Sequence, residues 1–535
     1  MCDYTRNGPD RLFANGTVYT ACATNPRASV LALRADRIVY AGHDRKEAAA
    51  LLAPGFEETD LEGRAVVPGL MDSHLHLKMQ GQRLSELDLH YKSRETVLRM
   101  VAEEAARLGP GRWIVGMGWN HELWAEQRWP SRDDLDAVAP RNPVALTRAD
   151  SHSAWVNSPA LEAAGFDRNS PEPRGGEILR KENGDLLGIL VDTPMLKLWS
   201  VIPPMDDTQT RNAYARAQEE LFRSGVTSVG DAWQTLEDHA ALRSAYEAGV
   251  MKLRVYGMLG SVRHEGGTVF HDGLAPVSGL YGRRLSLRAF KAVLDGSLGS
   301  RSAWLSRDYA DRPGHRGSGR YGRDELLDLV GPAARKGFQL CLHAIGDAAA
   351  GQALDVLEAL GARPGARHRI EHFQTAGAEE LDRAARLGVI AAMQTVHEKA
   401  DKTMAEHRLD PVLLERSYPW RAVLERGGVI ANGSDSPIED GNPFLGFHAA
   451  VTRTPFTPFA DRDPQSVRLT RREALNSYTA WTALAEFGEA DKGTLEAGKL
   501  ADFVVLDTDI MRCQEEAIPT TRVLMTVLGG ETVYG

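Results

Sequence analysis

Apolar residues fall into three different rhythms along this chain. From about Leu12 to Val67 they come in short runs. Ser29 to Val39 (SVLALRADRIV) is two such runs around Ala35-Asp36, which reads as a hairpin. The far C-terminus behaves alike: Ala501 to Leu506 (ADFVVL) is a strand, and VLMTVLGGETVY turns at Gly529-Gly530. Strands at both ends that flank something larger predict a small β-sandwich built from both termini. Two unrelated edge hairpins would give the same pattern.

Between Thr96 and Leu108 the spacing of Val97, Val101, Ala105 and Leu108 is helical. A Trp-rich segment follows, GRWIVGMGWNHELWAEQRWP, with Trp113, Trp119, Trp124 and Trp129. Then come a strand at Pro143 to Leu146 and the polar run TRADSHSAWVNS. This region lacks strand-helix alternation, so an inserted subdomain is expected at about 77–213. Tryptophans pack more often than they line pockets. Four of them beside His121, Arg148 and His152 nevertheless suggest a substrate-facing wall, with Trp119 and His152 as candidate contacts.

After Tyr214 the rhythm becomes regular. Strands are expected at Val226–Val229, Lys252–Tyr256, Leu285–Leu294, Phe338–His343, His368–Phe373, Val389–Met393 and Val429–Gly433, most of them separated by helical segments. Adding the Val66 strand gives eight, the count of an α/β (β/α)₈ TIM-type barrel. An open doubly wound sheet is the rival; no G-x-G-x-x-G opens a helix in the right place for its nucleotide-binding version. The expected division is a sandwich from 1–67 and 485–535 around a barrel at 68–484.

Catalytic groups of such a barrel sit at the C-terminal ends of its strands. The first end lies in Val66 to Leu77 (VVPGLMDSHLHL), where the i, i+2 spacing puts His74 and His76 on one side of an extended chain. A lone H-x-H is a weak signal. Lys291 is on the fourth strand, His343 and His372 end the fifth and sixth, and Asp435 follows the eighth. Any one of these suits a buried, hydrogen-bonded group or a snorkelling lysine. Six N and O groups at one mouth do not, because each would need separate satisfaction, so the pattern points to a metal centre. Asp231 closes the second strand as a ligand-orienting group or an ordinary strand-end carboxylate. Arg301, within the Gly-rich DGSLGSRSA, is a candidate anion contact or helix cap, and His397 follows the seventh strand at the mouth.

Composition narrows this further. A chain of 535 residues exceeds one core. The net charge of −10 comes without a basic stripe, which leaves nucleic-acid binding no footprint. No apolar run approaches the roughly 20 residues that span a bilayer, and the N-terminus MCDYTRNGPDR has no signal-peptide core. Four cysteines without C-x-x-C spacing suggest neither a disulfide framework nor a thiolate site, so a cytoplasmic protein is expected.

PGLMDSHLHL, AFKAVLDGS, LHAIGD, RIEHFQ, NGSDSPIED and LEAGKLADFVVLD together resemble the amidohydrolase superfamily. GWNHELW, SHSAWVNSPAL, GILVD, GVTSVGDAW and SYPWRAVLERGG are similar to its YtcJ-like branch, which includes N-substituted formamide deformylases. The resemblance spans essentially the whole chain. It implies one or two divalent ions, most often zinc, with His74 and His76 on the first and His343 and His372 on the second. Lys291 would bridge them as a CO₂-derived carbamate, and Asp435 would bind the first ion and shuttle protons. Many relatives read Gln-Pro-x-His where this chain has Gln394-Thr395-Val396-His397. The expected reaction is metal-dependent hydrolysis of a non-peptide C–N bond, in a linear amide or N-substituted formamide, by metal-activated hydroxide. A cyclic amidase or deaminase and a catalytically silent metal-binding regulatory protein are the alternatives. The expected partner is a small-molecule amide, and the resemblance allows a homodimer.

Overall fold

The computed structural model describes residues 10–535 apart from 85, 174, 204, 262–269 and 272. Two compact units emerge: 1–77 with 217–535, and 78–216. The first unit contains a nearly closed barrel of eight parallel strands: β1 (Leu70–Leu75), β2 (Val226–Gln234), β3 (Arg254–Gly260), β4 (Leu285–Val293), β5 (Gln339–Ala344), β6 (Arg369–His372), β7 (Ile390–Met393) and β8 (Val429–Asn432). Each pairs with its neighbour in chain order. β8 returns to β1 through side-chain and loop contacts: Ser73 Oγ donates to Ala431 O at 3.0 Å, and Asp435 N to His74 O at 2.7 Å.

Buried on both faces, these strands read as apolar runs. Their outward residues, such as Phe290, Leu342 and Ile370, share one core with amphipathic helices. Helix Arg323–Arg335 contributes Leu326, Val330 and Ala333 at i, i+4, i+7, and helix Asp347–Ala359 contributes Ala349, Ala350, Ala353, Leu354 and Leu357.

The first barrel strand starts later than its sequence suggests. Ala65–Pro68 pairs with Thr17–Val18 and with Phe503–Leu506, so Val66 belongs to the sandwich. Gly69 makes the passage to β1, and a Cβ there would lie 2.3 Å from Thr227 Oγ1. Periodicity cannot separate two adjacent apolar runs that enter different sheets.

The sandwich joins both termini. One sheet runs Arg37–Gly42, Val30–Arg34, Arg11–Ala14, Glu57–Asp60. The other runs Glu531–Tyr534, Val523–Leu528, Phe503–Leu506, Ala65–Pro68, Thr17–Tyr19, Arg27–Ala28. Phe13, Leu31, Leu33 and Ile38 meet Val18, Val66, Phe503 and Val527 in one core. The hairpins turn where expected, with Ala35 at φ +51° and Gly529 and Gly530 at +54° and +72°. Deleting residues 501–535 removes three of the six strands of the second sheet. The truncated chain is expected to aggregate through the exposed faces of Val18 and Val66. A soluble product with an unchanged Tm would contradict the shared core.

The second unit is a six-stranded sheet in the order Gly176–Arg180, Leu186–Asp192, Ser153–Val156, Val144–Arg148, Ile114–Trp119, Leu87–Asp88. Helix Arg94–Leu108 packs Val97 and Val101 against it. Trp119 and Trp155 are fully buried, and Trp119 has Trp124, Trp129 and Trp155 at ring distances of 6.0, 6.1 and 6.0 Å. Its indole N–H donates to Leu146 O at 2.7 Å. The Trp119 ring expected to face substrate is therefore taken up by packing, because an apolar ring with its one donor satisfied gains most when fully buried. Trp119→Ala is expected to cost about 3–5 kcal/mol, measured by urea titration of the full chain. A loss below about 1 kcal/mol would leave Trp119 outside the core.

Among the described residues no helix is long and apolar enough to cross a membrane. Cys22, Cys341 and Cys513 are free thiols.

Candidate metal centre

β1 sends Asp72 and His74 to the same side, and both are buried. Asp72 Oδ1 accepts His74 N at 3.0 Å, while Oδ2 accepts Ser434 Oγ at 2.6 Å and Ser434 N at 3.1 Å. Burial pushes the Asp72 carboxyl up to about 6, against these bonds. Asp72 thus straps the loop after β8 onto β1. Gly433 permits the approach: a Cβ there would sit 2.7 Å from His74 N and 2.9 Å from His74 O. Asp231 Oδ1 accepts Leu77 N at 3.1 Å and Oδ2 accepts Gln234 Nε2 at 2.8 Å, anchoring the chain just beyond His76.

The result is a convergence of donors. His74 Nε2 and His76 Nε2 lie 3.4 and 3.3 Å from the same oxygen, Asp435 Oδ1. Lys291 Nζ is 3.4 Å from His74 Nε2. The His372 ring is 4.9 Å from His74 and 4.4 Å from His343. His397 stacks parallel to His372 at 6.0 Å and places Nε2 3.9 Å from Asp435 Oδ2. His74, His76 and Asp435 hold one ligand atom each within 4.8 Å of one another, as do His372, His397 and Asp435. Seven expected residues, from β1, β4, β5, β6 and the segments after β1, β7 and β8, thus meet at one mouth.

Two of them sit in the left-handed backbone region, His372 at φ +68° and Asp435 at +60°. That conformation costs a non-glycine residue of order 1–3 kcal/mol and persists only where surrounding bonds over-determine it. Thr395 begins a helix, Thr395–Arg408, and donates its N–H to Asn432 Oδ1 at 3.1 Å, a bond that proline could not make.

Protonation favours cation binding. Burial lowers the pKa of His76, His343 and His372, so their lone pairs stay open at neutral pH. Burial opposes ionisation of Asp435, yet His74 and His76 outweigh it and hold the group well below the ordinary carboxylate range. Burial likewise lowers the Lys291 pKa, against the pull of Glu371 and Asp435. His372 Nδ1, His397 Nε2 and Asp435 Oδ1 are buried without a hydrogen-bond partner among the described residues. Orphaned buried groups are rare, and imidazoles with one carboxylate are the donor set of zinc and similar ions. The residues fit a divalent cation.

Sequence reasoning missed the carboxylates behind the imidazoles. Glu371 Oε2 lies 2.5 Å from His74 Nδ1. Asp295, fully buried, accepts N–H groups of Trp304, Ile345 and Gly346 and lies 3.4 Å from His343 Nε2. The available signal was charge inside strands buried on both faces, as in HRIEHF.

Arg301 pairs with Asp311 at 2.6 Å. Within the second unit, His152 Nδ1 meets Asp192 Oδ1 at 2.6 Å, and Arg148 donates to Asp150 at 2.6 Å and to Asn120 at 3.1 Å.

A profile described as "Amidohydrolase family" matches residues 57–534. The chain belongs to the amidohydrolase family. Among amidohydrolases named as such, the putative amidohydrolase YtcJ of Bacillus subtilis is 29% identical, over 98% of this chain and 99% of its own. An N-substituted formamide deformylase of Arthrobacter pascens is 29% identical, over 98% of each. The Arabidopsis thaliana protein LONG AFTER FAR-RED 3 is 31% identical, over 98% of this chain and 91% of its own. This amidohydrolase also matches a solved structure from Pyrococcus horikoshii, described as an uncharacterized metal-dependent hydrolase. It has 28% identity and a TM-score of 0.76, covering 95% of this chain and 99% of that one. The kinship places the chain in the YtcJ-like branch.

Proposed function

We propose that this amidohydrolase cleaves the non-peptide C–N bond of a linear amide, with N-substituted formamides as the leading class. The observation that carries the reading is the convergence of His74 Nε2 and His76 Nε2 on Asp435 Oδ1 in a buried mouth. The formamide class draws support from the deformylase of Arthrobacter pascens, similar along 98% of both chains.

His74, His76 and Asp435 would hold one ion, zinc by donor type, and His343 and His372 a second. Such ions supply Lewis acidity, lowering the pKa of water toward about 7 and polarising a carbonyl oxygen. Lys291, as an ammonium, has only donors to offer. Burial lowers its pKa and so tilts it toward the neutral amine, the form that would add CO₂ with loss of a proton; as a carbamate, Lys291 would offer oxygen to the ions. Asp435 keeps Oδ1 toward the two imidazoles and turns Oδ2 toward His397. Oδ2 takes a proton from the attacking water and returns it to the departing amine nitrogen. His397 Nε2, buried without a partner among the described residues, is the group left to contact the substrate. A cytoplasmic setting and a homodimer complete the reading.

Metal analysis of the purified chain, with an amine-release screen over formamides, acylamino acids and cyclic amides, tests it. Dialysis against a strong chelator is expected to abolish turnover, and Zn²⁺ or Mn²⁺ to restore it. Undiminished hydrolysis by protein shown metal-free would sink the proposal. Release of ammonia in place of an amine would favour a deaminase.

A further inference from the structure

β6 puts Arg369 and Glu371, two residues apart, on the same side, both fully buried. Ile370 faces the layer between strands and helices. Strict alternation would send His372 the way of Ile370. The positive φ of His372 breaks that alternation, so consecutive residues Glu371 and His372 both serve the mouth. Glu371 reaches across to β1, where its Oε2 meets His74 Nδ1 at 2.5 Å. The same oxygen accepts Arg369 Nη2 at 2.9 Å, and Oε1 accepts Arg369 Nε at 2.7 Å. Arg369 Nη2 also donates to Ser73 O, the residue before His74, at 2.9 Å.

We propose that Glu371, held by Arg369, is a positioning residue that keeps the His74 proton on Nδ1 and so turns the Nε2 lone pair toward Lys291 and Asp435. The inference rests on the reading of His74 as a metal ligand. A guanidinium has no acceptor, so both Glu371 oxygens must accept. An ionised carboxylate has no proton to give, so the proton of the short contact resides on His74 Nδ1. A ligating histidine needs this arrangement, one ring N–H tied to an acceptor and the other nitrogen bare. Glutamine cannot reproduce it. With its oxygen at the Oε2 place, the amide NH₂ faces Arg369 Nε, donor against donor. Flipped, the NH₂ donates to Nδ1 and moves the ring proton to Nε2, the nitrogen that must bind.

The test compares the full chain with Glu371→Gln by Zn²⁺ competition against a fluorescent chelator, alongside thermal unfolding. Glu371→Gln is expected to bind Zn²⁺ about 10–100-fold more weakly while still folding cooperatively. A long-range ¹H–¹⁵N spectrum of the metal-free, histidine-labelled parent reads the tautomer directly, with His74 assigned by the signal lost in His74→Asn. It is expected to show Nδ1 protonated and Nε2 bare. A parent that binds no Zn²⁺ overturns the metal reading and this inference with it. A parent that binds tightly and a Glu371→Gln that binds within about twofold overturn the role of Glu371 alone. If Glu371→Gln does not fold, the parent spectrum decides, and a His74 proton on Nε2 refutes the proposal.

Discussion

Asp435→Asn is expected to lower kcat by about 10²–10⁴-fold, the usual cost of losing a general base. Asparagine keeps the shape of the side chain and an oxygen to set beside His74 Nε2 and His76 Nε2. It has no basic oxygen to accept a proton. The loss falls on the proton-transfer step, so KM changes little and much of the metal stays bound. The pH profile sharpens the test. Acidification protonates the carboxylate and removes the base, so activity falls on the acid side. The two imidazoles hold Asp435 well below the ordinary carboxylate range, and that limb should lie correspondingly low. In Asp435→Asn the limb should vanish. A variant with near-parental kcat and an unchanged limb would hand the role to His397, 3.9 Å away.

Lys291→Ala should lose both metal and activity. Lys291 is 2% exposed, and its Nζ sits 3.4 Å from His74 Nε2. A bare ammonium beside a divalent ion would be strongly repelled, and for that reason the proposed centre uses this side chain as a carbamate. Small carboxylic acids are expected to restore part of the metal content and turnover by supplying the missing oxygens. Acid-quenched mass spectrometry is a poor measure, since a carbamate is released in acid. An electron-density map with an unmodified Lys291 turned away from a fully occupied site would refute the bridge.

Much of the barrel was legible because strands buried on both faces appear as apolar runs, and helices between them as i, i+4 patterns. The seven strands expected after residue 214 all form, with ends shifted by a few residues. His74 and His76 stood out because an i, i+2 pair at a strand end shares one side in any fold. The start of β1 did not, since Ala65–Val67 is as apolar as the Leu70-Met71 run beyond it. Only the partners Thr17–Val18 and Phe503–Leu506 decide which sheet Ala65–Val67 joins. Trp119 misled for a related reason: a tryptophan among polar residues looks the same whether it faces a ligand or three other rings.

The amino-acid sequence by itself determined which donors stand at strand ends, because strand periodicity and turn chemistry act over a few residues. Tertiary structure decided which nitrogen of each imidazole points where. His74 and Glu371 lie 297 residues apart, and His74 also meets an aspartate on the loop that Asp72 straps down. The first contact crosses the barrel from β1 to β6, and the second comes with the closing of β8 onto β1. No local pattern encodes such distances, because they are properties of the closed barrel rather than of any segment in it.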